Sequence, residues 1–248
     1  MDVGRHGART LERGLDLLER VVGEPMNVHD LAGQAGLGLS TTRRLVASLV
    51  DKGFLTINHN RVFLAGPKLL ELGARGRDQL DLVNVARPYL KILSAATGTP
   101  SFLGERFHDE SVHLHCEPGT QRVRVSTSVG ARSSLPETSL GRALLLDDSD
   151  DEWQRLFAKA APEHRAPGWK QAMRAAHAEG LIVFDSPSSD RTRAVAAPVR
   201  DALGTIIAAI SIVGAMQYVD ESELDRIGPL VRDAAEAISF QLGYARGK

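Results

Sequence analysis

The sequence predicts an α+β chain of two parts: a small helical domain closed by a β-hairpin, then a larger domain built on an antiparallel sheet. Three observations carry this. Residues 9–51 hold three apolar-periodic stretches separated by glycine-containing turns. Residues 54–64 hold two short β-prone runs around a polar turn. Beyond Pro67, short strands alternate with helices, and tight turns between strands call for antiparallel pairing.

The elements follow in order. Leu11, Leu15, Leu18 and Val22 recur at helical spacing and predict a helix from about Arg9 to Val22 with those residues on one face. Gly23-Glu24-Pro25 ends it. A short helix from about Val28 to Ala35 leads into the turn Gly36-Leu37-Gly38. Ser40 is the expected N-cap of a third helix, Ser40 to Asp51, with Thr42, Leu45, Val46 and Leu49 turned inward. Lys52-Gly53 closes it. Phe54–Ile57 and Arg61–Leu64 form a hairpin around Asn58-His59-Asn60. Helix, helix, turn, helix, hairpin is the order of a winged helix-turn-helix.

Pro67 suits the first turn of a new helix. Helices are expected from there to about Gly76 and from about Leu80 to Thr97, the second disturbed at Pro88. Strands follow at Phe102–Arg106, Val112–Cys116 and Val123–Thr127, and helices begin near Thr138 and Asp150. A helix over Gly168–Glu179 precedes a strand over Leu181–Phe184. The strands Ala194–Val199 and Thr205–Val213 flank a hairpin turn. Asp220 caps a last helix that turns Leu224, Ile227, Val231, Ala235 and Ile238 inward. The domains are expected at residues 7–66 (winged helix), 67–84 (linker helix region) and 85–248 (sensor).

Composition narrows the function. A single cysteine, Cys116, excludes an internal disulfide and fits a reducing compartment. The N-terminal residues have no apolar core, and the longest apolar stretch, Thr205–Ala215, is too short for a bilayer, so a cytoplasmic protein with no membrane partner is expected. Residues 1–80 hold 11 Lys and Arg against 9 Asp and Glu, and the remainder 19 against 22. That tilt permits nucleic-acid binding at one end. With its aliphatic stripe inward, the third helix turns Ser40, Thr41, Arg43, Arg44 and Ser48 outward. Arginine pairs with guanine edges or phosphates, and short hydroxyls reach either. From the hairpin, Asn58, Asn60 and Arg61 reach backbone or minor groove.

These residues resemble the IclR family of bacterial transcription regulators. The likeness lies in Leu11-Glu12-Arg13-Gly14-Leu15-Asp16-Leu17-Leu18, in residues 37–45 and in Gly53-Phe54-Leu55. It continues through residues 86–90 and 129–132, Thr138-Ser139-Leu140-Gly141-Arg142-Ala143-Leu144-Leu145, residues 193–199 and 209–212. The segments occur in order along almost the whole chain. The resemblance implies a repressor in preference to an activator. It implies a homodimer or dimer of dimers on a palindromic double-stranded operator. It also implies a GAF-like C-terminal domain that binds a small, usually acidic metabolite, and no cofactor.

Thr138 and Ser139 sit at a helix start, where unpaired backbone N–H groups and hydroxyls form an anion site, although either residue would also serve as a plain N-cap. Carried over by position, the resemblance adds Val125, Ser133, Leu140, Ala194, Ser211 and Val213 to the effector pocket. The family's acidic pattern after Gly180 is replaced here by Phe184 and Pro187, leaving Asp185 as the acid nearby. A more apolar wall implies an effector larger or more aromatic than a two- or three-carbon acid. His113, His115 and Glu117 share one face of a strand at alternate positions, but no second ligand cluster supports a metal site. Cys116 points to the core. The competing class is a small-molecule enzyme whose N-terminal helices mediate assembly. The absence of P-loop, dinucleotide, zincin or nucleophile-elbow motifs counts against it.

Overall fold

The computed structural model describes residues 3–79, 81–121, 127–165, 167–187 and 191–245, which form two separate units, residues 1–80 and 81–248. The boundary falls inside the expected linker: helix α4 belongs to the first unit and α5 to the second.

In the first unit, α1 (Val3–Gly23), α2 (Val28–Ala35) and α3 (Leu39–Asp51) pack around Leu17, Val21, Leu31, Val46 and Leu55. Strands β1 (Leu55–Ile57) and β2 (Phe63–Ala65) pair antiparallel, and Met26 adds a bridge to Phe63. Helix α4 runs from Pro67 to Gln79. Gly66, between β2 and α4, has no room for a side chain, because a Cβ there would lie 2.2 Å from the Gly53 carbonyl oxygen. The structure adds to one expectation here and corrects another. The buried stripe of α1 is Leu17, Leu18 and Val21, while Leu11 (65% exposed), Leu15 (48%) and Val22 (50%) face outward. The helix carries two interleaved apolar stripes, and the unit's own core uses the one centred on Leu17 and Val21. The N-cap of α3 is Gly38, in extended conformation, and not Ser40, which already lies within the helix.

The second unit is built on a sheet of six described strands in the order β5-β4-β3-β8-β7-β6, all antiparallel. They are β3 (Ser101–Phe107), β4 (Glu110–Glu117), β5 (Arg132–Ser134), β6 (Ile182–Asp185), β7 (Thr192–Arg200) and β8 (Ile206–Ala215). Helices α5 (Leu82–Thr97) and α9 (Glu221–Gln241) cover one face, over Leu103, Val195, Ala197, Ile210 and Ile212. Pro88 lies inside α5 without interrupting it. Helices α6 (Ser139–Leu144), α7 (Asp150–Lys159) and α8 (Trp169–Glu179) pack over the other face with Phe102, Ala194, Ala196 and Ala209. Two cores on opposite faces follow from the period of two along β3, β7 and β8, which are apolar on both sides. The strand expected over Val123–Thr127 falls largely outside the described residues.

Candidate DNA-binding face and effector cavity

The turn that positions α3 depends on glycine. Gly36 takes the left-handed conformation (φ 64°) and its N–H donates to the Ala32 and Gly33 carbonyls, ending α2. Thr42 and Val46 are buried and Leu45 and Leu49 pack partly against the core. The opposite side is set by the helical period: Ser40, Arg43, Arg44 and Ser48 are exposed, with Thr41 half-buried. Among the described residues, neither Arg43 nor Arg44 makes an ion pair or hydrogen bond. Arg43 and Arg61 line one cleft of about 770 Å³ between α3 and the hairpin. Arg61 closes the hairpin turn in the left-handed region (φ 58°). The Asn58 side-chain oxygen accepts from the Asn60 and Val62 N–H groups at 2.9 and 3.0 Å, so it holds the turn. Asn60 and Arg61 remain exposed.

In the second unit the strand register builds a hollow. On the face under α6, one row runs Ile182, Ala196, Ser211, Phe102, Cys116 and another runs Phe184, Ala194, Val213. The small residues of the central strands leave space that the two phenylalanines wall from either side. The result is a cavity of about 190 Å³ that brings together Thr138, Ser139, Leu140, Ala194, Ser211 and Val213 from α6, β7 and β8. Gly104 lets α6 approach: a Cβ there would lie 2.6 Å from Leu140 Cδ2 and 2.8 Å from the Val112 carbonyl oxygen.

Two expected residues lie elsewhere. Burial alternates along β6, so Phe184 faces the cavity and Asp185 faces out, with its carboxylate held by Arg193 at 2.5 and 2.8 Å. Ser133, on β5, pairs with Ser111 on β4 and does not line the cavity. Val125 is outside the described residues. The cavity also gains residues that sequence reasoning missed: Phe102, His113, Thr127, Glu137, Ser186 and Thr192. For His113 the reason is a β-bulge. Leu103 pairs with His115 and Gly104 with His113, so Leu114 is the extra residue and the two histidines point to opposite faces. The expected shared face of His113, His115 and Glu117 does not form, and among the described residues no cluster suits a metal. Gly104, paired with His113 at the bulge, is the sequence signal that could have found it.

The polar groups of the cavity are unusual in one respect. Thr138 is the N-cap of α6, its hydroxyl accepting from the Gly141 N–H at 3.0 Å. Ser139 (4% exposed) and Ser211 (1%) have hydroxyls with no partner among the described residues. The other buried hydroxyls are all bonded. Ser94 donates to Ser101 and Ser101 to the Leu90 carbonyl. Thr97 and Ser239 bond carbonyls one turn back in their own helices. Thr99, Ser111 and Thr42 are likewise paired. Phe184 is held from behind by Arg142, whose guanidinium lies 4.6 Å from the ring centroid and donates to the Pro136 carbonyl at 2.7 Å. Burial brings the Arg142 pKa down to about 10, and it stays charged at neutral pH.

The comparisons with known proteins agree across the whole chain. The IclR helix-turn-helix domain matches residues 10–58, and the bacterial transcriptional regulator IclR C-terminal domain matches residues 76–240. The chain belongs to the IclR family. The HTH-type transcriptional regulator KipR of Bacillus subtilis is 26% identical over 244 residues, covering 95% of this chain and 98% of its own. The HTH-type transcriptional repressor AllR of Escherichia coli K12 is 27% identical over 254 residues, covering 97% and 93%. Among solved structures, Pseudomonas aeruginosa HmgR superposes with a TM-score of 0.77 at 23% identity, over 96% of this chain and 100% of the other. The Agrobacterium tumefaciens repressor BlcR gives a TM-score of 0.77 at 21% identity, over 96% and 98%. Those two likenesses show the fold. As an IclR-type regulator, the chain binds DNA through its helix-turn-helix and carries an effector domain C-terminal to it. Among the described residues, no helix is long and apolar enough to cross a membrane.

Proposed function

We propose that the chain is a repressor that binds a palindromic operator as a homodimer and is released by a small carboxylic acid. The operator contacts are Ser40, Thr41, Arg43, Arg44 and Ser48 in the major groove. Arg61, Asn60 and the amide of Asn58 reach the flanking backbone from the hairpin. Support for a second copy comes from α1. Leu11, Leu15, Leu18 and Val22 repeat at spacings of 4, 3 and 4, and three of them stand exposed in the single chain. A stripe of that period is what a helix offers to a partner helix.

The effector reading rests on one observation. Ser139 and Ser211, two buried residues whose hydroxyls have no partner among the described residues, line the same cavity. Hydroxyls that face a cavity without an internal partner are free to bond a ligand there. Phe102, Phe184, Leu140 and Val213 give the wall a large apolar part, which favours an aromatic or branched acid over a two- or three-carbon one. Binding there shifts the population of dimer geometries away from the one that fits the operator.

The test is a gel shift with the DNA upstream of the chain's own gene, at several salt concentrations, with and without acids. Salt-dependent binding that aromatic acids weaken is the expected result. Binding insensitive to salt, or released by short aliphatic acids alone, contradicts the reading at the DNA face and at the cavity respectively.

A further inference from the structure

His113 is a further polar side chain of the cavity, and no hydrogen bond of its ring within the fold uses it. The bulge at Leu114 turns it under α6, where its ring meets Phe102 edge-on at 5.5 Å between centroids. Its backbone is committed to the loop before β5: its N–H donates to the Ala131 carbonyl and its carbonyl accepts from Gly130. Its Nδ1 is buried with no hydrogen-bond partner. A bulge that spends a ladder position to aim an imidazole at a cavity, beside two unbonded hydroxyls, is a built polar site. We propose that His113 receives the effector's carboxylate, and that its imidazole takes up a proton when the acid binds there. The proposal rests on the effector reading above and names the group that would recognise the acid.

The physical reason is the change in surroundings. In the empty cavity burial pulls the His113 pKa down, so the ring is neutral near pH 7. An ionised carboxylate set against it favours the imidazolium. The ring then gains a proton, and affinity rises as pH falls. No cation among the described residues competes for this role. The 3-10 turn Leu135–Glu137 presents Glu137, whose Oε1 accepts from the Ala161 N–H at 2.8 Å. β3 faces His113 with Phe102 and Gly104, α6 with Ser139 and Leu140, and β8 with Ser211, none of them titratable. On β4, Cys116 shares the face, with its thiol pushed up by burial, and His115 lies on the opposite face against Glu117 at 3.3 Å. On β5, Arg132 is paired with Glu110. Arg142 is engaged with Pro136 and the Phe184 ring.

The experiment is isothermal titration of the full chain with benzoate and, separately, with propionate, near pH 7 in phosphate and in Tris. These buffers differ in ionisation heat. Benzoate is expected to bind with a heat that differs between buffers, reporting proton uptake, and to bind more weakly as pH rises, by up to about tenfold per unit. His113→Gln should remove the buffer dependence and weaken benzoate about tenfold while leaving the melting temperature in place. The wild-type buffer dependence reads the proton even if the variant folds poorly. Benzoate binding with equal heats in both buffers overturns the role of His113 and leaves the effector reading standing. No binding of either acid at millimolar concentration overturns both.

Discussion

Arginine is used in opposite ways on the face of α3 with its hairpin and across much of the second unit. In the second, Arg106 pairs with Asp148 and Glu152, Arg155 with Asp109 and Glu152, Arg193 with Asp185, Arg200 with Asp147 and Arg226 with Glu223. In the first, Arg43, Arg44 and Arg61 have no such partner among the described residues. A guanidinium tied to a carboxylate has its donors occupied and its charge cancelled. One left alone on a helix face keeps both for a phosphate or a base edge. The near-neutral net charge of the chain hides this division, which is why composition alone said little about DNA.

The contrast is broken most directly at α3. Arg43→Ala and Arg44→Ala should each weaken operator binding by about 1–3 kcal/mol, and the double variant should also flatten its salt dependence. Fluorescence anisotropy at fixed salt measures the first and a salt series the second. Thermal stability should stay at the wild-type value, because neither side chain bonds within the fold. An unchanged affinity would remove the arginines from the interface. A large loss of stability would mean that they serve the fold after all.

Gly104→Ala sharpens the comparison from the other side. The added Cβ meets Leu140 and the backbone of β4 at distances no real contact sustains, so α6 or β4 must shift. Overpacking of this kind costs about 1–3 kcal/mol. The melting temperature should fall and benzoate binding should weaken with it, while the DNA face is untouched in composition. A variant as stable as wild type would mean that α6 moves freely over the sheet.

How much of this was legible in the sequence differs between the same two regions. The outward face of α3 follows from period alone, since Thr42 and Val46 fix which side is buried and residues three and four apart share the other. The hairpin residues were read from the polar turn between two β-prone runs, although the demand of the turn on the Asn58 oxygen was not. The cavity was read in part, because Ala194, Ser211 and Val213 lie on regular strands. It failed where strand parity was broken or was not applied. The bulge at Leu114 reversed the faces of His113 and His115, and the alternation along β6 put Phe184 inside and Asp185 out. In α1 two apolar stripes overlap at Leu18, and a single chain gives no rule for which one stays within its own fold. A helix face is a local property. A pocket assembled from five strands and a short helix depends on registers that no single segment encodes.

The smallest effect is expected at the ion pairs of the second unit. Arg155 joins Asp109 on the β3–β4 turn to Glu152 on α7, at 2.7 and 2.6 Å, and Lys159 adds to Asp109 at 2.7 Å. Arg155, with Arg106 behind it, brings the Glu152 carboxyl from 4.5 down to about 2, and Arg155 and Lys159 hold Asp109 well below the usual range. A depressed carboxylate pKa stabilises the folded state above its ordinary value, and that stability is lost as pH falls through the folded one. Arg155→Ala should therefore lower the melting temperature slightly near neutral pH, because exposed pairs are screened by water. The gap from wild type should close between about pH 4.5 and about pH 2. Operator binding should not change. A gap that stays constant through that range would show that the Arg155 side chain stabilises the unit by packing, and that its charge contributes nothing.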